Sequence, residues 1–258
     1  MTDYLLMRLY GPLASWGEIA VGESRHSAMH PSKSALIGLL AAAVGVERSD
    51  EAGQQAMAQG YRCGIKLVCA GSPLRDFHTM GVGQPLRKEV FRTRRQELAN
   101  PEREGTLLSS REYRCDSLAV VALQAQPNAP HSLPSLAQAL RTPSFPLYLG
   151  RKSCPPALPL APQIVQAASV REALDQALPQ SLLALTDALQ PVQPWPNRDD
   201  QKAFQPKPQA ARYYWEDGME AGMSASFDTL RHDQPQSRKR WQFAPRREWV
   251  HLVGSEAA

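Results

Sequence analysis

The residues of this chain best suited to chemistry are cations grouped around a ring. From Pro85 to Arg95 the sequence reads PLRKEVFRTRR, in which Arg87, Lys88, Arg92, Arg94 and Arg95 outnumber one acid, Glu89, and surround Phe91. Cations beside an aromatic suit a single polynucleotide strand, because they neutralise phosphates while the ring stacks on a base. A solvated hairpin would explain the charge equally well. Position favours the first reading: the run lies in a long departure from ordered patterning, and such excursions are more often functional or disordered than idle.

Three further stretches carry related chemistry. HPSKSALIGLL, from His30, places Ser32, Lys33 and Ser34 in a first helical turn, where free N–H groups and the helix dipole attract a phosphate. Capping by Ser32 alone also accounts for that serine. LRDFHTMG (Leu74 to Gly81) and SREYRCD (Ser110 to Asp116) flank the excursion and bring Arg75, His78, Arg111 and Tyr113 to its base. Surface ion pairs of Arg111 and Arg114 with Glu112 or Asp116 would account for those charges too. YLGRKSCP (Tyr148 to Pro155) ends an apolar piece with Gly150, Arg151 and Lys152, a suitable edge for backbone phosphates or a plain turn.

Catalysis has weaker support. His26 and His30 are four apart, but Pro31 makes a shared helical face for metal improbable. No HExxH, P-loop, GxSxG or paired-carboxylate signature occurs. Metal-free RNA cleavage would have to draw on His26, His30, His78, Tyr113 and Lys33, although a lone histidine is more often structural. Cys63, Cys69, Cys115 and Cys154 form no CxxC pair and read as small buried hydrophobes in a reducing compartment. No catalytic residue, metal or cofactor is expected.

These groups need a scaffold. With 258 residues and 43% apolar content the chain can bury one large core or two small ones. Its longest apolar stretch, Ser34 to Val46, is about half of a bilayer span, so no membrane association is expected, and nothing near Met1 marks export. A cytoplasmic protein follows. Net charge is only +4, yet 22 of the 29 basic residues are arginine, whose planar fork suits phosphates and bases; a high-GC genome gives the same bias.

Alternation predicts a strand over Asp3 to Tyr10, with Leu5, Met7 and Leu9 on one face and Tyr4, Leu6, Arg8 and Tyr10 on the other, ending at Gly11-Pro12. A helix opens at Ser32 and stops at Gly45, and a shorter one spans about Ser49 to Gln59. A second strand, Tyr61 to Cys69, turns Cys63, Ile65, Leu67 and Cys69 inward; a third covers Glu112 to Leu123. A helix near Ser135 to Arg141 and a last strand at Phe145 to Leu149 complete the order βαββαβ, which is the ferredoxin-like α+β arrangement shared by RRM-type RNA binders. Beyond Gly150 prolines interrupt the pattern. Helices are expected at Val170 to Ala177 and Ser181 to Leu189, a Pro-rich loop at about 190–209, and strands at Arg212 to Trp215, Trp241 to Phe243 and Trp249 to Val253.

Several blocks together resemble a known family. LMRLYGPLASWGE (Leu6 to Glu18), HPSKSALIGLLAAAVGV (His30 to Val46), LRDFHT (Leu74 to Thr79), REYRCD (Arg111 to Asp116) and YLGRKSCP are similar, in order and spacing, to the CasD family of type I-E Cascade subunits within the RAMP superfamily. REWVHLV (Arg247 to Val253) is a weaker echo, and the Pro-rich stretch departs from the family pattern. The resemblance implies an RRM-like RAMP domain over 1–150, with a protruding β-hairpin thumb inserted at about 75–112, and a smaller C-terminal β-rich portion over 151–258. It implies a non-catalytic subunit that caps the 5′ handle of CRISPR RNA and meets the backbone and large subunits, with target DNA reached through the complex. Handle contacts would come from Trp16, Lys33, Ser34, Arg75, His78, Arg111, Tyr113, Arg151 and Lys152, and thumb contacts from Arg87, Arg92, Arg94 and Arg95. Type I-C relatives cleave, so a metal-independent endoribonuclease processing repeat RNA is the alternative.

Overall fold

The computed structural model describes residues 1–20, 22–84, 90–99, 104–176 and 211–253. Strand β1 (Thr2–Ala14) alternates as its sequence requires: Leu5, Met7 and Leu9 enter one apolar cluster, and Tyr4, Leu6 and Tyr10 enter another on the opposite face. Short pieces β2 (Trp16–Gly17), β3 (Ser24–Arg25) and β4 (Ser27–Ala28) follow. Helix α1 (Lys33–Val44) begins where Ser32 Oγ accepts the Ala35 N–H at 3.2 Å, and it ends at Gly45 in the left-handed conformation. Asp50 caps α2 (Glu51–Gly60). Strand β5 (Tyr61–Cys69) then faces Cys63, Ile65 and Leu67 toward the helices, but a register slip between Leu67 and Cys69 turns Cys69 to the second cluster, against the inward position expected for it.

The excursion is a ribbon. Strand β6 (Ser72–Gly83) pairs with the outer half of β7 (Glu104–Ala125), and α3 (Arg94–Glu97) lies between them in sequence. The third strand is therefore 22 residues long, nearly twice the length its alternation suggested, because its outer half has no core to impose an apolar period. Helix α4 (Leu133–Arg141) follows. The fourth strand is β8 (Gln163–Ala167), paired with β1, and not Phe145 to Leu149; Pro146 interrupts that piece and it has no ladder partner. Helix α5 (Val170–Gln176) and strands β9 (Arg212–Glu216), β10 (Phe227–Ser237) and β11 (Gln242–Leu252) complete the described chain. The expected helix at Ser181 to Leu189 and the Pro-rich loop at about 190–209 lie outside the described residues.

Among the described residues the main sheet runs β10-β11-β9-β5-β7-β1-β8, every neighbour antiparallel. The four strands β5-β7-β1-β8 at one end of that order interleave two β-α-β units, with β7 between β1 and β5, and β1 between β7 and the edge strand β8. Pro12 is tolerated inside β1 because β8 pairs no further than Leu6, so no ladder bond requires the missing N–H. One face carries α1, α2 and α4 through Leu36, Leu40, Met57, Leu136 and Leu140; the other carries α5 through Val170, Ala173 and Leu174. Both faces of the central strands are thus covered. Chemistry must come from the ribbon, the loops or the sheet ends. Among the described residues no helix is long and apolar enough to cross a membrane.

Candidate nucleic-acid interface

The ribbon leaves the sheet where β7 passes Cys115, and β3 joins its free edge there. Ser24 pairs with Ser110 and Arg25 with Arg111 in parallel, and the Ser110 N–H donates to Glu23 O at 3.0 Å. Side-chain alternation splits this base into two faces. Arg25, Arg111 and Tyr113 share the side continuous with the helices; His26, Arg75 and Glu112 share the other. Gly71 (φ +65) makes the sharp entry into β6, where a Cβ would stand 2.2 Å from Cys115 O.

Glu112 is the hub of its face. Its carboxylate accepts from Arg75 Nη2 at 3.0 Å and from the Ser27 N–H at 3.4 Å, and lies 3.2 Å from His26 Nδ1. Its carbonyl accepts the Ser15 hydroxyl at 3.0 Å. The Arg75 guanidinium, with His26, holds the Glu112 carboxyl below the usual range. Phe77, 63% exposed, projects two residues further out from Arg75 on the same face. On the other face the Arg151 guanidinium lies 5.0 Å over the Tyr113 ring and donates Nη2 to Arg25 O at 3.4 Å, while its buried Nη1 has no partner among the described residues. Gly150 permits this approach: at φ +89 it passes so close to the β1–β2 corner that a Cβ would meet Ser15 O at 1.8 Å. Lys152 is exposed beside it.

The expected contacts divide clearly. Arg75, Arg111, Tyr113, Arg151 and Lys152 gather at the ribbon base, though the Tyr113 ring is buried beneath Arg151 and is a support more than a stacking surface. His78 lies further out, opposite Ser109, with Nε2 2.5 Å from Asp76. Arg92, Arg94 and Arg95 are exposed around α3, where Arg94 binds Glu97 at 2.7 Å and donates to Gly81 O. Arg87, like Lys88, lies outside the described residues. Trp16 is corrected: its ring is 3% exposed within the helix-side core and supports the corner instead of meeting a base. Arg25, His26 and Glu112 join the site unforeseen, because parallel pairing of β3 with β7 leaves no local pattern to read.

Lys33 and Ser34 are corrected for a different reason. The N-terminus of α1 already holds an anion, Asp233, which accepts the Lys33 N–H at 2.8 Å. Lys33 Nζ is buried 2.6 Å from Glu216, and the Ser34 hydroxyl lies 3.0 Å from Ser32 Oγ. Asp233 also takes Arg246 at 2.9 Å, and Arg246 reaches Glu248 at 2.8 Å. Glu248 in turn lies 2.8 Å from His30, whose ring stacks on Tyr214 at 3.7 Å and also contacts Arg231. Three cations, Lys33, Arg231 and Arg246, thus balance three acids, Glu216, Asp233 and Glu248, when His30 is neutral. Burial pushes His30 down, whereas its pairing holds Glu248 at about 2 despite burial. Both shifts make the unfolded chain bind protons first, so stability rises with pH and is lost as the pH falls. Urea midpoints are expected to drop from about pH 6.5 downward as His30 takes up a proton and charges in the unfolded chain, and more steeply below about 4.5 as Glu248 and Asp233 take up protons there and become neutral. A flat profile between pH 7 and pH 4 contradicts this.

The histidines needed for cleavage are not collected. His30 and Lys33 lie in the buried network, His78 is on the ribbon, and His26 alone stands at the base. Among the described residues no group of three His, Cys, Asp or Glu is placed to hold a metal. All four cysteines are free, with Cys63 and Cys154 buried and Cys69 and Cys115 partly so.

Comparison with known proteins identifies the family. The family model described as "CRISPR-associated protein (Cas_Cas5)" matches residues 4–248. The CRISPR system Cascade subunit CasD of Escherichia coli (strain K12) is 31% identical over 182 residues, covering 67% of this chain and 76% of that protein. A chain of a CRISPR RNA-guided surveillance complex superposes with TM-score 0.62 at 26% identity, covering 97% of this chain and 90% of its own. A structure described as a Cas protein gives 0.59 at 25%, covering 97% and 94%. With a family match over residues 4–248 and a CasD relative 31% identical over two thirds of the chain, the protein belongs to the Cas5 family of CRISPR-associated proteins.

Proposed function

We propose that this chain is the CasD-type subunit of a Cascade surveillance complex and grips the 5′ handle of the CRISPR RNA without cutting it. The interleaved β1-α1-β5-β7-α4-β8 section is then an RRM-like, ferredoxin-like RAMP core that runs past the expected boundary at 150 because its fourth strand is β8 (Gln163–Ala167); the ribbon at about 75–112 is its thumb, and the chain beyond β8 is the β-rich C-terminal portion. One observation carries the reading: Arg25, Arg75, Arg111 and Arg151 gather from four segments at the ribbon base, Arg75 on Glu112 and the other three on the opposite face. Excess fixed guanidinium at an edge suits phosphates and splayed bases of single-stranded RNA. An RRM-type reader stacks bases on an open sheet face, but here α5 covers that face, so the RNA must pass along the ribbon base. The thumb would reach over the backbone subunit, the large subunit would abut the handle, and target choice would rest on guide pairing. The setting is the cytoplasm.

Co-expression of the complex with guide RNA carrying the native or a scrambled handle tests this. Recovery of this subunit with the particle is expected to fall strongly with the scrambled handle; equal recovery marks it as a protein-only scaffold. Among the described residues the His26–Glu112 pair, with the imidazole half exposed, is the arrangement that favours the cleavage alternative. Repeat RNA incubated with the purified chain in EDTA is expected to stay intact, and a cyclic-phosphate product would reverse the assignment.

A further inference from the structure

The β10–β11 turn carries a second group of cations and rings, separated in the sheet from β7 by β11, β9 and β5. Arg238, Lys239, Arg240 and Trp241 follow one another there. Arg238 anchors the turn: its Nη2 donates to Ser34 O at 3.0 Å and lies over α1 where Gly38 leaves room, a Cβ there standing 2.7 Å away. The Lys239 N–H donates to Glu51 at 3.1 Å and the Arg240 N–H to Ser237 Oγ at 3.1 Å. With the backbone fixed, the Lys239 and Arg240 side chains and the Trp241 indole project into solvent, the indole 58% exposed. The Arg48 guanidinium lies 4.2 Å over that indole, and Phe243 packs at 6.4 Å. Trp241 holds this position at φ +53, a conformation unusual for a bulky residue and kept only where the surroundings impose it.

We propose that this turn is a second contact for unpaired polynucleotide, in which Trp241 stacks on a base while Arg48, Lys239 and Arg240 neutralise phosphates. The chemistry distinguishes it from a protein-docking patch. Protein interfaces enrich tryptophan and arginine but deplete lysine and bury their aromatic anchors in a packed core, whereas here Arg48 lies over a single exposed indole beside Lys239 and Arg240, the make-up of a base-stacking platform. Among the described residues Glu51 accepts from the turn through the Ser237 hydroxyl and the Lys239 and Arg238 N–H groups and also faces the Lys239 charge, which leaves Arg240 and Arg48 beside the indole. The site is independent of the handle reading.

Fluorescence anisotropy of the purified full chain with labelled oligouridylate and, separately, oligothymidylate provides the test, with thermal melting to verify folding of each variant. Trp241→Ala is expected to weaken binding roughly tenfold, and Trp241→Phe much less, since a ring remains to stack. Lys239→Ala with Arg240→Ala is expected to lower the salt slope by about 1.4. A loss confined to oligouridylate identifies RNA as the occupant; equal losses extend the site to displaced DNA. Unchanged affinity of Trp241→Ala for both probes overturns the proposal, and the same result with impaired assembly of the complex assigns the turn to a protein partner. A Trp241 effect that persists when Arg111 and Arg151 are both alanine separates this site from the ribbon base.

Discussion

Replacing Arg111 and Arg151 together by alanine is expected to weaken binding of handle RNA by about 100-fold or more and to reduce the salt slope by about 1.4. The slope follows from counterion release, about 0.7 for each single-strand phosphate that loses its cation. The affinity follows from losing two charged hydrogen bonds of about 1.5–3 kcal/mol each, every 1.4 kcal/mol being tenfold. Arg151 is the more informative of the two because Tyr113 below it and Arg25 beside it fix its guanidinium before any ligand arrives, so little ordering cost opposes its contact. Arg95, exposed near α3, serves as the comparison: Arg95→Ala should shift the slope by one cation's worth at most. Titration of labelled RNA between 50 and 300 mM salt reads both effects. If the double variant retains the full slope, the ribbon base does not hold phosphate.

Glu248→Ala is expected to destabilise the fold by about 3–5 kcal/mol, lowering the melting temperature by on the order of 10 °C. Glu248 is 2% exposed and touches His30, Arg231 and Arg246, so its removal leaves the two guanidiniums with Asp233 as their shared carboxylate and strands positive charge in a buried site. The cost comes from those stranded charges more than from the pair itself, since well-packed apolar replacements of whole buried networks are often neutral. Glu248→Gln keeps the shape and should recover part of the loss through hydrogen bonding. Arg247→Ala, one residue away but pointing to an exposed Asp228, should cost less than about 1 kcal/mol. Equal melting of Glu248→Ala and Arg247→Ala would refute the network's role.

What could be read from the residues depended on whether a core imposed a period. β1 and β5 were legible because apolar side chains alternate against helices, and α1 because Ser32 and Gly45 bound it. β10 was not, since its inward positions Arg231 and Asp233 are ions satisfied by Arg246 and Glu248 of β11, and no hydrophobic period betrays it. Lys33 looked like a phosphate ligand because its carboxylate partners stand far along the chain, Asp233 lying 200 residues away. Trp16 shows the same limit: a tryptophan near a chain corner reads as a stacking ring until the fold closes over it. Arg75 and Arg111, by contrast, were placed at one base by the symmetry of two flanking blocks about a single excursion.

Because β7 is one unbroken strand, its inner half clamped between β1 and β5 and its outer half free beyond Cys115, the ribbon behaves as a cantilever set into a wall. Displacement grows toward the tip while torque concentrates at the root, near Asp116, whose backbone turns left-handed at φ +55. A load on the tip is therefore felt first by Arg111, Glu112 and Tyr113, the residues that stand at that root.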